Sequence, residues 1–221
     1  MKRILPNFIT LCNGFFGIIS IIAILNDQIN IVPYFFAAAL LCDFLDGMVA
    51  RLLKTSSEIG KELDSLSDTV SFGVLPAALI AYMLSHYETI PNILIFSAGI
   101  YPLFTIYRLA KFNIKYNNLH YFVGLSSPLA AIMVITVFFL NIQWQMPWQL
   151  YITINFIIGI LMILPIHFYT FKDLQKSNLG KIALAIILLA IIIFFILYSW
   201  NAILILLSIY VILALILGYR K

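Results

Sequence analysis

Charge is scarce in this chain. Of its 221 residues, 10% are charged and 63% are apolar, whereas soluble domains carry roughly 25% charged residues; an ordinary water-soluble fold is excluded. Cysteine and histidine are scarcer still, with two and three residues. Cys12 and Cys42 both fall inside apolar runs, where a free cysteine behaves as a small hydrophobe, and no Cys/His spacing suits a disulfide framework or a zinc site. His86, His120 and His167 stand in separate segments with no partner at useful spacing, so they read as interfacial or packing residues. No internal repeat, low-complexity tract or flexible linker divides the chain, and a single domain over 1–221 is expected. The first apolar run follows Met1, Lys2 and Arg3 and is interrupted by Asn7, Thr10 and Asn13. It has no small-residue cleavage site, so no removable leader is expected.

What is present is long hydrophobic sequence. A membrane-spanning helix needs about 20 mostly apolar residues, and such stretches run over about 8–25, 31–53, 59–86, 92–110, 122–140, 148–169, 181–198 and 200–218. The expected fold is therefore all-α: a polytopic bundle of about eight transmembrane helices. With both termini placed in the cytoplasm, all thirteen basic residues fall on the cytoplasmic side, as the positive-inside rule requires. The opposite loops hold Asp27, Glu88 and the uncharged run 141–147. The net charge of +4 is thus a topology signal and does not point to nucleic acid. The last two stretches, Lys181 to Gly218, are nearly all Ile, Leu, Ala and aromatic residues and read as lipid-facing scaffold or as a dimer surface.

Stretches two and three differ, because they bring Asp43, Asp46, Glu58, Glu62, Asp64 and Asp68 into or beside the bilayer, where an ionised carboxylate at depth costs at least about 2.5 kcal/mol. Asp43, Asp46, Gly47 and Ala50 stand at i, i+3, i+4 and i+7, on one face of a helix. Asp64 and Asp68 stand at i and i+4 and share a face with Gly60. The two helices are expected as antiparallel neighbours joined by a short polar turn at 54–57. At about 1.5 Å of rise per residue, such a hairpin brings all four aspartates to nearly one depth. Four anions there need a strong counter-charge. Carboxylates without His or Cys suit a hard divalent ion, Mg²⁺ or Mn²⁺. Gly47, Ala50 and Gly60 leave room for a bulky group on the same faces, and Arg51 beside them is a candidate for binding an anion, or else an anchor at the helix end.

In order, these residues read Asp43-x-x-Asp46-Gly47-x-x-Ala50-Arg51, eight residues, Gly60-x-x-x-Asp64-x-x-x-Asp68. The pattern resembles the signature of the CDP-alcohol phosphatidyltransferase family at every motif position. Softer matches over about the first 130 residues resemble its serine-using branch: Pro6-Asn7-x-x-Thr10-x-x-Asn13-Gly14, Val70-Ser71-Phe72-Gly73-Val74, Arg108-Leu109-Ala110-Lys111-Phe112-Asn113 and Gly124-Leu125-Ser126-Ser127-Pro128. Lys111 and Ser126 depart from that branch, which more often has Arg and Pro there.

The resemblance implies that Asp43, Asp46, Asp64 and Asp68 hold two divalent ions on the diphosphate of CDP-diacylglycerol, and that Asp68 also takes the proton from the incoming hydroxyl. It implies that Asn7, Thr10, Asn13, Gly47, Ala50, Arg51, Ser57 and Gly60 serve the CDP-lipid. It further implies a homodimer; the apolar runs and the distribution of basic residues lead to the expectation of a multi-pass protein of the cell membrane with its active site facing the cytoplasm. The catalytic part would lie in about 1–130, with the later helices as scaffold. L-Serine as acceptor calls for a cation at its carboxylate, and Arg108 and Lys111, one helical turn apart, are the candidates, although both also suit topological anchoring. Ser71, Asn113, Ser126 and Ser127 are further polar candidates. Glycerol phosphate, inositol phosphate or choline as acceptor remains open, and so does an ion or proton pathway, since membrane carboxylates also mark these. Against a pathway stands the clustering of the acids at one depth.

Overall fold

The structure, a computed structural model, describes residues 4–55, 57–116, 122–165 and 167–168. The described residues are almost wholly helical. Among the described residues, four helices are long and apolar enough to cross a membrane: Ile4–Leu25, Glu58–Ser85, Asn92–Ile114 and Ser127–Trp144. The seventh and eighth expected spans, 181–198 and 200–218, lie outside the described residues. The chain divides after Ala110 into two compact units.

The first unit opens with α1 (Ile4–Leu25). Its large side chains Phe8, Leu11, Phe15, Ile18 and Ile22 are exposed, while Pro6, Thr10, Asn13, Gly14, Gly17 and Ser20 are buried. These two sets recur at helical spacing, which gives α1 a greasy outer stripe for lipid and a small, polar inner stripe for its neighbours. After a turn through Asp27, at φ 58°, α2 (Val32–Leu53) begins with Pro33 in its first turn, where a missing N–H costs nothing, and runs 22 residues. Lys54 ends it in the left-handed region, with its N–H on the carbonyls of Ala50 and Arg51.

Ser57 then caps α3 (Glu58–Asp68): its backbone is extended and its hydroxyl oxygen accepts the Gly60 N–H at 3.0 Å, satisfying one of the free donors of the first turn. α3 does not stop at Asp68. It continues through a π-helical turn, Thr69–Val74, into α4 (Leu75–Ser85), as one span. Pro76 gives the cause, since it has no N–H to donate and its ring presses on the carbonyl four residues back in a regular α-helix; widening the turn relieves that contact. A short 3₁₀ segment, Asn92–Gly99, leads into α5 (Ile100–Lys111).

The packing departs from the expected hairpin in one respect. α1 packs along both α2 and α3, and these two lean chiefly on α1 rather than on each other. Carboxylates facing one another from two helices keep the backbones apart, so α1 supplies the shared support.

In the second unit, α6 (Ser127–Trp144) and α7 (Trp148–Ile163) form a helical hairpin, closed by Gln145 at φ 48° and by the Asn141 side-chain oxygen, which accepts the Met146 N–H at 2.8 Å. Two expected boundaries are corrected. The stretch 122–140 is helical only from Ser127, because Gly124 adopts φ 79° and a side chain there would run into the Met162 carbonyl. The stretch 148–169 stops at Ile163, because Leu164 precedes Pro165 and is held extended at ψ 138°. The freed segments pair instead, β1 (Phe122–Val123) antiparallel to β2 (His167–Phe168).

Candidate active site

Three of the four aspartates converge. Asp43 from α2 and Asp64 and Asp68 from α3 each offer a carboxylate oxygen, and these oxygens all lie within 4.8 Å of one another. Asp64 and Asp68 are one turn apart on α3, and Asp43 reaches them across the space between the helices. Such mutual approach of acids without a cation is unfavourable, and the arrangement fits the donor set of a hard divalent ion. Asp46 is also buried, but it stands beside this trio rather than within it. Three residues along a helix turn it away from Asp43 by about one sixth of a circle, towards Thr10 of α1. One of its oxygens, Oδ2, is buried without a hydrogen-bond partner, and a carboxylate oxygen left so is a site for a cation or a donor from a ligand.

The residues around the acids come mostly from α1. Asn13, fully buried, donates its amide N–H to Asp68 Oδ1 at 3.1 Å. Thr10 donates its hydroxyl to the Pro6 carbonyl at 3.0 Å and keeps its side chain against Asp46. Asn7 approaches Gly60 so closely that a side-chain carbon on Gly60 would meet its Oδ1 at 3.0 Å. On α2, by contrast, a carbon added to Gly47 would meet nothing within 4 Å. Arg51 is exposed and donates Nε–H to the Gly47 carbonyl at 2.9 Å. Ala50 is half-buried on the same helix.

Arg108, on α5, is buried, and its charge acts on those of Asp68 and Asp43 and on Tyr101. Lys111, three residues on, is half-buried. Ser71 belongs to the π turn and is fully buried, donating to the Asn13 carbonyl at 2.9 Å. In the second unit Asn113 and Ser126 are half-buried and Ser127 is fully buried. The sequence reading missed Tyr101, Thr105 and Ser67. Tyr101 is buried beside Arg108, Thr105 packs on Gly73, and Ser67 packs on Gly14. Only the seven-residue spacing of Tyr101 and Arg108, which puts both on one helix face, could have signalled the first.

Four helices apolar and long enough to cross a membrane among the described residues, together with a cluster of carboxylates suited to a hard divalent ion, define a class: a membrane protein with a candidate metal centre. Comparison with known proteins narrows it. Residues 3–155 match the CDP-alcohol phosphatidyltransferase family. A CDP-diacylglycerol–serine O-phosphatidyltransferase of Helicobacter pylori is 33% identical over 193 residues, 85% of this chain and 80% of the relative. Proteins of the same description from Bacillus subtilis and Saccharomyces cerevisiae are 37% and 39% identical over 135 and 147 residues. These matches span 61% and 59% of this chain, and 75% and 52% of the relatives. The chain belongs to the CDP-alcohol phosphatidyltransferase family.

Proposed function

We propose that this protein transfers the phosphatidyl group of CDP-diacylglycerol to the hydroxyl of L-serine, giving phosphatidylserine and CMP. The observation that carries the reading is the convergence of Asp43, Asp64 and Asp68 from two helices within 4.8 Å, beside a face of α2 that is open at Gly47. The serine-specific names of the relatives support the choice of acceptor.

Asp43, Asp64 and Asp68, with Asp46 at their side, would hold two divalent ions, Mg²⁺ or Mn²⁺, which when bound neutralise the diphosphate and the charge that develops during transfer. The remaining work falls to the protein. Gly47, Ala50 and Arg51 of α2, with Ser57 and Gly60 at the start of α3 and Asn7, Thr10 and Asn13 of α1, receive the CDP-lipid. The serine hydroxyl oxygen forms a bond to the lipid-side phosphorus, the bond from that phosphorus to the CMP oxygen breaks, and CMP leaves. Asp68 accepts the hydroxyl proton, a general-base contribution of about 10²- to 10⁴-fold. Arg108, buried close to Asp43 and Asp68, and Lys111 take the serine carboxylate.

The same reading comprises eight spans with both termini in the cytoplasm, an active site opening to that side, a catalytic part within about 1–130, later helices as scaffold, and a homodimer. The basic residues on one side of the count support the orientation. The test incubates purified protein with CDP-diacylglycerol, Mn²⁺ and, separately, labelled serine, glycerol 3-phosphate, inositol phosphate and choline. Label should enter lipid from serine with release of one CMP per lipid formed. Preferential incorporation of another alcohol would overturn the choice of acceptor and leave the reaction class standing.

A further inference from the structure

α1 and α3 run parallel, and their contacts keep a register. Asn7 lies on Gly60 and Gly14 on Ser67, both 53 residues apart, whereas Gly17 lies on Ser71, 54 apart. The slip of one falls at the π turn Thr69–Val74, which takes up an extra residue compared with an α-helical turn. The slip has a local result: Ser71 comes to rest against Gly17, where a side chain on α1 would collide with the serine hydroxyl, and donates to the Asn13 carbonyl at 2.9 Å. Asn13 in turn donates to Asp68 Oδ1 at 3.1 Å, and Asp68 is the last residue before the π turn. Asp68, Asn13 and Ser71 thus close a ring through the backbone between 68 and 71, and all three are buried.

We infer that Asn13 is a positioning residue for Asp68, and that Ser71, presented by the π turn, fixes the height of α1 at which Asn13 does so. The inference rests on the reading of Asp68 as metal ligand and base. A carboxylate projecting from a helix face rotates about its last torsion unless something holds it. The Asn13 amide anchors one oxygen and so fixes the orientation of the carboxylate that meets Asp43 and Asp64. Asn13 retains a second capacity, because its own Oδ1 is buried and makes no hydrogen bond, which leaves it available to the CDP-lipid.

The experiment measures Mn²⁺ binding, from the electron paramagnetic resonance signal of free Mn²⁺, and single-turnover transfer for the full chain in detergent and its variants Asn13→Ala, Ser71→Ala, Asp68→Asn and Asn13→Ala/Asp68→Asn. Loss of a partner that orients a metal ligand typically costs 10- to 100-fold, so Asn13→Ala should weaken Mn²⁺ binding by about tenfold or more and slow transfer comparably. In the Asp68→Asn background Asn13→Ala should change Mn²⁺ binding no further, since coupled residues are not additive. Ser71→Ala should shift both quantities in the same direction by less, and it carries the test alone if Asn13→Ala does not yield monodisperse helical protein. A rise in the CDP-lipid dissociation constant with wild-type Mn²⁺ affinity would overturn the inference, and so would equal losses with and without the Asp68 carboxylate. Wild-type Mn²⁺ binding and turnover in Asp68→Asn would overturn the reading of the site itself, and the inference with it. Loss of both in Asp68→Asn, with neither changed in Asn13→Ala or Ser71→Ala, would overturn the inference only.

Discussion

Gly47→Ala separates what the fold needs from what the ligand needs. The added methyl would meet no atom within 4 Å, so the substitution creates no overpacking, and it replaces a glycine inside α2. Glycine in a helix interior is less favourable than alanine by roughly 0.5–1 kcal/mol, and at about 2–4 °C per kcal/mol for a chain of this size the melting temperature should rise by about 1–4 °C. The effect on the CDP-lipid should have the opposite sign. If its head lies against the bare Gly47 backbone, a methyl inserted into that contact costs about 1–3 kcal/mol, as overpacking does in a core, which is about 5- to 150-fold in affinity. Thermal unfolding in detergent and the KM for CDP-diacylglycerol at saturating serine and Mn²⁺ read the two effects on one preparation. A more stable protein with weaker CDP-lipid binding is the expected pair. A wild-type KM would show that the open face of α2 is not where the lipid head sits, and a lower melting temperature would show that the face is packed.

Excess EDTA should abolish transfer, and added Mn²⁺ or Mg²⁺ should restore it; full turnover in chelator would remove the metal from the reading. Asp68→Asn should lose about 10²- to 10⁴-fold in single-turnover rate even at saturating metal, whereas Asp46→Asn should be partly rescued as metal is raised; recovery of Asp68→Asn to near wild-type would reduce its role to coordination. Arg108→Ala should raise the KM for serine far more than that for CDP-diacylglycerol, and equal shifts in well-folded protein would return Arg108 to a structural counter-charge. A cysteine replacing Lys54, in the turn between α2 and α3, should resist an impermeant thiol reagent applied outside intact cells, and ready labelling there would invert the topology.

Much of the site was legible because it depends on local spacing. The separation of Asp64 and Asp68 by four residues places both on one face of any α-helix, and the Lys54–Ser57 turn announces itself through polar residues and a helix-capping serine. Asp46 was less legible. A three-residue step leaves about 60° between side chains, and only the position of α1 decides which neighbour that angle serves. The π turn had a visible cause in Pro76, but a proline near the middle of an apolar span is compatible with a kink, a break or a widened turn. The end of α7 had the same kind of signal in Leu164–Pro165, and apolar composition masked it. Asn13 stood out in sequence as a polar residue in an apolar helix, yet its partner lies 55 residues away and no periodicity reports such a pair.

The support of α2 and α3 by α1 explains why so short a stretch of chain concentrates the polar residues. Carboxylates on two helices that touched directly would have to interleave, and their desolvation would oppose the packing. With α1 packed against both as a common support, the helices stay far enough apart for the acids to face one another, and close packing is found at the seam between α1 and α3. There Gly14 and Gly17 admit Ser67 and Ser71 at distances that side chains on α1 would forbid. In a membrane, where lipid tails give helices no hydrophobic reason to associate, small residues and interhelical hydrogen bonds are what hold such a seam together. The glycines of α1 therefore bear on the geometry of the acids through the serines they admit. A bulkier residue at Gly17 moves Ser71, moving Ser71 releases the Asn13 carbonyl, and Asn13 is the residue that holds Asp68.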